Sequence, residues 1–151
     1  MTPSNWKLAI TLFALAACSN PASPEDGLLV STAVTPSVIR TGERTLIRVT
    51  VLNHGKDIVR LDTFSCNGGF EVAFSNGVVV PPWVVCSTRL GEIKNLAPGE
   101  SYSEEGEWNG YVGSASNIPI YLAPDTYTIR GKFALNGTIV TGRATTVEIL
   151  P

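Results

Sequence analysis

The chain has 151 residues, a formal net charge of −2 and a charged fraction of 16 %. That mildly acidic balance offers no basic face, so nucleic-acid binding has no support as a function. A hydrophobic fraction of 44 % suits one folded domain with a real core.

Residues 1–17 do not belong to that domain. Lys7 is the sole charge before an apolar run from Leu8 to Ala17, which is too short to span a bilayer. The run ends in Leu15-Ala16-Ala17-Cys18, which resembles the lipobox of a bacterial lipoprotein signal peptide. The resemblance implies cleavage before Cys18 and diacylglycerol on its sulfur. Acyl chains there would hold the protein at a membrane without any spanning segment. Ser19 resembles the outer-membrane sorting pattern of a cell with two membranes. Residues 18–26, polar and containing Pro21 and Pro24, read as the lipidated cysteine and a flexible tether. Residues 27–151 remain as the folded domain.

That domain reads as all-β. Short runs of Val, Ile, Thr and Tyr are broken by Gly, Pro, Asn and Asp, and no apolar stripe of period 3.6 persists. Leu28 to Thr35 is a first strand, stopped by Pro36. Thr45 to Asn53 alternates, with Ile47, Val49 and Val51 on one face and Arg48 and Thr50 on the other. Asn53 to Lys56 is a turn, and Ile58 to Phe64 is the next strand. Phe70, Val72 and Phe74 share a face. Leu96 to Glu100 is a turn into Ser101–Trp108, where Tyr102 and Trp108 lie on one side. Tyr127, Ile129, Gly131, Phe133 and Leu135 alternate in a long strand. Asn136-Gly137 then turns into a terminal strand from Thr138 to Leu150. Seven to nine such strands predict an immunoglobulin-like antiparallel β-sandwich.

Between Cys66 and Cys86 the chain holds Asn76-Gly77 at its centre. Asn-Gly between β-branched runs predicts a two-residue type I′ hairpin loop. On that register Ser75 faces Val78, Phe74 faces Val79, and Cys66 falls opposite Ser87. Pro81 and Pro82 break the ladder and predict a bulge, which supplies the one-residue correction toward Cys86. Lipidation of Cys18 leaves these two thiols to form a disulfide in an oxidising compartment.

Four segments extend the pattern: Val51-Leu-Asn-His-Gly-Lys56, Phe70-Glu-Val-Ala-Phe-Ser-Asn-Gly77, Leu96-Ala-Pro-Gly-Glu-Ser101 and Leu122-Ala-Pro-Asp-Thr-Tyr-Thr-Ile-Arg-Gly131. Their order resembles the domain of the bacterial intracellular proteinase inhibitor (BsuPI-like) family, over about residues 45 to 150. The resemblance implies the sandwich and, as an alternative function, inhibition of a subtilisin-type serine protease. It carries over no reactive-site residue.

Catalysis finds few materials in this chain. His54 is the only histidine and falls in a predicted turn, where a Ser-His-Asp triad has no place for it. Cys66, Cys86 and His54 as a soft-metal site give way to the disulfide. Glu100, Glu104, Glu105 and Glu107 read as a solvated edge strand rather than a calcium site, because Glu104 and Glu105 point to opposite faces. No glycine-rich phosphate loop is present. No enzyme, cofactor or metal is therefore expected.

Recognition is expected at two places. Pro81, Pro82 and Trp83 form a stiff aromatic segment, unless Trp83 belongs to the core. Asn109 to Pro119 reads as a long Gly/Ser-rich connection with Tyr111 exposed at its start. The sequence thus predicts a lipid-anchored, non-catalytic binding module of the cell envelope, facing periplasm or cell exterior. Its partner is an envelope protein or a protease, and a structural spacer in an envelope complex is the third reading.

Overall fold

The computed structural model describes residues 27–63, 69–80, 92–135 and 138–151. In chain order their strands are β1 (Leu28–Thr35), β2 (Val38–Arg40), β3 (Thr45–Asn53), β4 (Val59–Asp62), β5 (Gly69–Phe74) and β6 (Ile93–Leu96). There follow β7 (Ser101–Trp108), β8 (Tyr111–Ala115), β9 (Ile118–Tyr121), β10 (Asp125–Leu135), β11 (Thr138–Thr141) and β12 (Thr145–Leu150).

Two sheets face each other as an immunoglobulin-like sandwich. The first has the order β1-β3-β7, antiparallel throughout. Its central strand turns Ile47, Val49 and Val51 inward, each at most 1 % exposed, while Arg48 on the outer face pairs with Glu105 of β7. The second has the order β2-β12-β10-β4-β6. Here β10 is the spine: β12 and then β11 run along one edge, β5 and then β4 along the other. Tyr127, Ile129 and Phe133 of β10 meet Val147 and Ile149 of β12 in the interior, all nearly inaccessible. Burial of each such side chain contributes about 1.5–3 kcal/mol. The ring of Tyr102 meets Phe133 edge-on across the layers, at 6.1 Å between centroids, a favoured aromatic geometry.

The chain passes from the first sheet to the second directly after β1. Pro36 stops the strand, and β2 then joins β12 in parallel, Val38 opposite Glu148 and Arg40 opposite Leu150. At the start of β10 the Tyr127 hydroxyl donates to the Ala123 carbonyl at 2.7 Å. This is the tyrosine corner that immunoglobulin-like sandwiches place at this bend.

Where β1 crosses the second sheet, the layers approach closely. A Cβ on Gly131 would collide with Val49 and Thr32, so glycine is required there for packing. Its N–H donates to Thr32 Oγ1 at 2.8 Å, a bond between the two sheets. Beside it the terminal strand does not run unbroken from Thr138 to Leu150. Lys132 opposes Thr141, but Ile129 opposes Thr145. Three residues, 142–144, therefore face two on β10, which is a bulge that divides β11 from β12.

Three further expectations are corrected. The predicted strand Ile58–Phe64 is, in its described part, Val59–Asp62, with Ile58 left 69 % exposed; Phe64 lies outside the described residues. The Asn76-Gly77 loop has three residues, not two. Ala73 opposes Val79, Phe74 N–H donates to Val78 O, and Gly77 N–H returns to Phe74 O. Only Gly77 of the pair has positive φ, at 84°, as in a type I turn closed by a bulge rather than a type I′ turn. Finally, the expected loop Asn109–Pro119 is mostly strand. β8 and β9 form a separate two-stranded ribbon, closed by Ser116 and Asn117 at φ 50° and 66°. Positive φ at both central residues is the type I′ geometry.

Candidate interaction surface

The β8–β9 ribbon alternates strong strand formers (Tyr111, Val112, Ile118, Ile120, Tyr121) with weak ones (Gly113, Pro119). Gly113 adopts φ 148° at an irregularity between Tyr111 and Gly113, beyond which Gly113 pairs with Ile120 and Ala115 with Ile118. The base is fixed to the sandwich: Leu122 N–H donates to Gly110 O at 2.8 Å, and Leu122 and Val112 join the core. Tyr111 and Tyr121 oppose each other there, ring centroids 6.0 Å apart and nearly perpendicular.

β8 keeps contact with the domain, Val112 packing on the core and Gly113 buried, while β9 is the free strand of the ribbon. All four residues of β9 are exposed, so both of its faces meet solvent. Ile118 and Ile120 point to one side, Pro119 and Tyr121 to the other. Exposure is 67 % for Ile118, 42 % for Ile120, 43 % for Tyr111 and 38 % for Tyr121. From Trp108 to Pro124 the sequence carries no Asp, Glu, Lys, Arg or His. Tyr111 is thus exposed, as the sequence indicated, but on a strand. The isoleucines and Tyr121 were missed, and the uncharged run was the signal for them.

The acidic strand β7 is not solvated throughout. Glu104 shares the inward face with Tyr102 and Trp108 and is only partly accessible. Burial pushes its carboxyl above the usual range, against a hydrogen bond from the Tyr102 hydroxyl at 3.3 Å. Glu105 and Glu107 face outward in ion pairs with Arg48 and Arg44. Among the described residues no group of His, Cys, Asp and Glu is placed to hold a metal. His54 is exposed in its turn. Cys18, Cys66, Cys86, Pro81, Pro82 and Trp83 lie outside the described residues. Val80, immediately before that proline segment, is 8 % exposed and donates its N–H to Val72 O, while Val78 and Val79 before it are exposed.

No family model matches the chain, and no curated protein sequence is similar to it. Among solved structures, it is similar to the Pseudomonas fluorescens alkylpurine DNA glycosylase AlkC bound to DNA, at TM-score 0.52 and 14 % identity, over 84 % of this chain and 31 % of that one. A β-glucosidase from Erythrobacter marinus gives 0.48 and 12 %, over 82 % and 15 %. The CARDB domain of the PF1109 protein from Pyrococcus furiosus gives 0.45 and 16 %, over 82 % and 87 %. The chain spans about a third of the glycosylase. At such identity the likeness concerns the fold alone.

Proposed function

We propose that this chain is a lipid-anchored, non-catalytic binding module of the bacterial cell envelope. The observation that carries the binding role is the β8–β9 ribbon, which is uncharged and exposes Tyr111, Ile118, Ile120 and Tyr121 from a rigid sandwich. Large apolar side chains clustered in exposure on one ribbon, over both of its faces, mark a site of interaction. Leu15-Ala16-Ala17-Cys18 supports the anchor, with Cys18 as the lipidated residue and the domain outside the cytoplasm.

Metabolic labelling with a palmitate analogue tests the anchor. Wild type incorporates label and partitions into detergent, and Cys18→Ser does neither. Equal label on both chains ends the anchoring proposal.

A further inference from the structure

We infer that the β8–β9 ribbon is a second, non-covalent membrane contact, seated in the headgroup layer of the bilayer that holds the lipid anchor. The inference rests on the anchored reading and deepens it by naming the ligand of the exposed ribbon. Three observations carry it.

The first is charge. The seventeen residues from Trp108 to Pro124 contain no formally charged side chain in a chain that is 16 % charged. Protein partners are steered and oriented largely by charged and polar groups around an apolar centre, and the ribbon carries no charged group to serve as such a rim. Tyrosine and tryptophan beside aliphatic side chains are the composition favoured at a membrane–water boundary.

The second is shape. With fractional exposures of 43, 67, 42 and 38 %, the four side chains present roughly 400 Å² at about 200 Å² apiece. A stable protein interface takes about 800 Å² from each partner, so a second copy docked here is held weakly. The area is also divided between two faces of β9. A flat protein surface covers one face, whereas lipid headgroups and upper acyl segments close around both. Pro119 has no N–H, which removes one backbone donor from the strand that would enter. Ser116 and Asn117 keep the turn polar, and the ribbon's outer edges need water. The ribbon therefore lies at headgroup depth and does not pierce the acyl core.

The third is reach. Leu28 opposes Asn53 and Thr35 opposes Leu46, while Thr45 opposes Trp108. The tether therefore joins one end of the sandwich, and the ribbon leaves the other. The nine residues of β3 make that distance about 30 Å at roughly 3.3 Å per residue. Residues 18–26, fully extended, span about the same. A domain anchored through Cys18 can lie along the bilayer with its ribbon touching it.

Fluorotyrosine incorporated into the full chain tests this directly. The four tyrosines are Tyr111 and Tyr121 on the ribbon, half-buried Tyr102 and buried Tyr127. The chain is placed with phosphatidylcholine bicelles containing a doxyl-labelled lipid, and fluorine resonances are recorded. Tyr111 and Tyr121 should broaden at least threefold more than Tyr102 and Tyr127, unchanged in about 0.5 M salt, where charge attraction is screened. Ile118→Ser with Ile120→Ser should abolish the difference while leaving the Tyr127 resonance in place, which shows that the variant folds. Intact mass and diffusion separate the two readings. A lipidated chain diffusing with bicelles but broadened evenly overturns the ribbon contact and leaves the anchor standing. An unlipidated chain whose Tyr111 and Tyr121 still broaden supports the ribbon and overturns the anchor. Concentration-dependent shifts of Tyr111 and Tyr121 without lipid, and no selective broadening with it, overturn the inference in favour of a second copy.

Discussion

The side-chain amide of Asn53 donates to the carbonyl of Leu96 at 2.8 Å, and so fastens the β3–β4 turn to the β6–β7 turn. The same amide reaches Asp57 O at 2.8 Å, and its oxygen accepts from Gly55 N–H at 2.9 Å. Its own backbone bonds Glu100 and Gly99. Asn53 is fully buried and its bond to Leu96 O is buried too, so the loss of the amide strands that carbonyl away from water. Asn53→Ala should cost about 3 kcal/mol, since a buried unsatisfied group costs about 1–3 kcal/mol. Urea unfolding measures this, and a loss below about 1 kcal/mol would mean that water replaces the amide.

Gly131→Ala tests the close approach of the sheets. The new methyl meets Val49 and Thr32 in the space where Gly131 N–H bonds Thr32. Overpacking of this kind costs typically 1–3 kcal/mol. Val49→Ala, which removes the two methyl groups that crowd the new Cβ, should recover part of the loss in the double variant. Strict additivity of the two changes in thermal melting would refute the contact as its cause.

Glu104 predicts a pH dependence whose sign is opposite to the usual carboxylate. Burial raises its folded pKa, more than the Tyr102 hydrogen bond lowers it. The folded state therefore binds the proton more tightly, and stability falls as pH rises through the folded value. Its favourable contribution is fully present below the ordinary 4.5 and is lost above it. Glu92, held low by Lys94, acts in the reverse sense but is fully exposed and weak. The difference in Tm between Glu104→Gln and wild type should grow from pH 4 to pH 7. A difference that stays flat over that range contradicts the inward carboxylate.

We propose that Cys66 and Cys86, which lie outside the described residues, form a disulfide, as their spacing about Asn76-Gly77 suggests. Ala73 opposes Val79; Cys66 precedes the one by seven residues and Cys86 follows the other by seven. Closing a loop of about twenty residues should stabilise by about 3 kcal/mol. Non-reducing peptide mapping of exported protein checks the link, and two free thiols there would disprove it.

Strands with one buried face were legible because alternation records burial directly. Ile47, Val49 and Val51 on β3, and the odd residues from Tyr127 to Leu135 on β10, needed only their period of two. The β8–β9 ribbon was not legible, because β9 is exposed on both faces and so has no alternation to display. Its turn, Ser116-Asn117, also lacks the glycine that advertises type I′ geometry. At Asn76-Gly77 the glycine was informative, but its positive φ serves both loop lengths, so composition left the register open. Asn53 was visible as a turn residue. Its burial was not, since the deciding partner is 43 residues away.

The placement of the tether and the ribbon at opposite ends of the sandwich has a mechanical consequence. Gly27 leads into β1 at one end, and Trp108 leaves β7 at the other, with β3 between them. A pull between those points slides β1 along β3, from Leu28 opposite Asn53 to Thr35 opposite Leu46, and β7 along β3 in turn. Each ladder is loaded in shear, so its hydrogen bonds share the force and must yield together, whereas a peeling load would open them one at a time. The strand order makes the long axis of the domain its stiff direction.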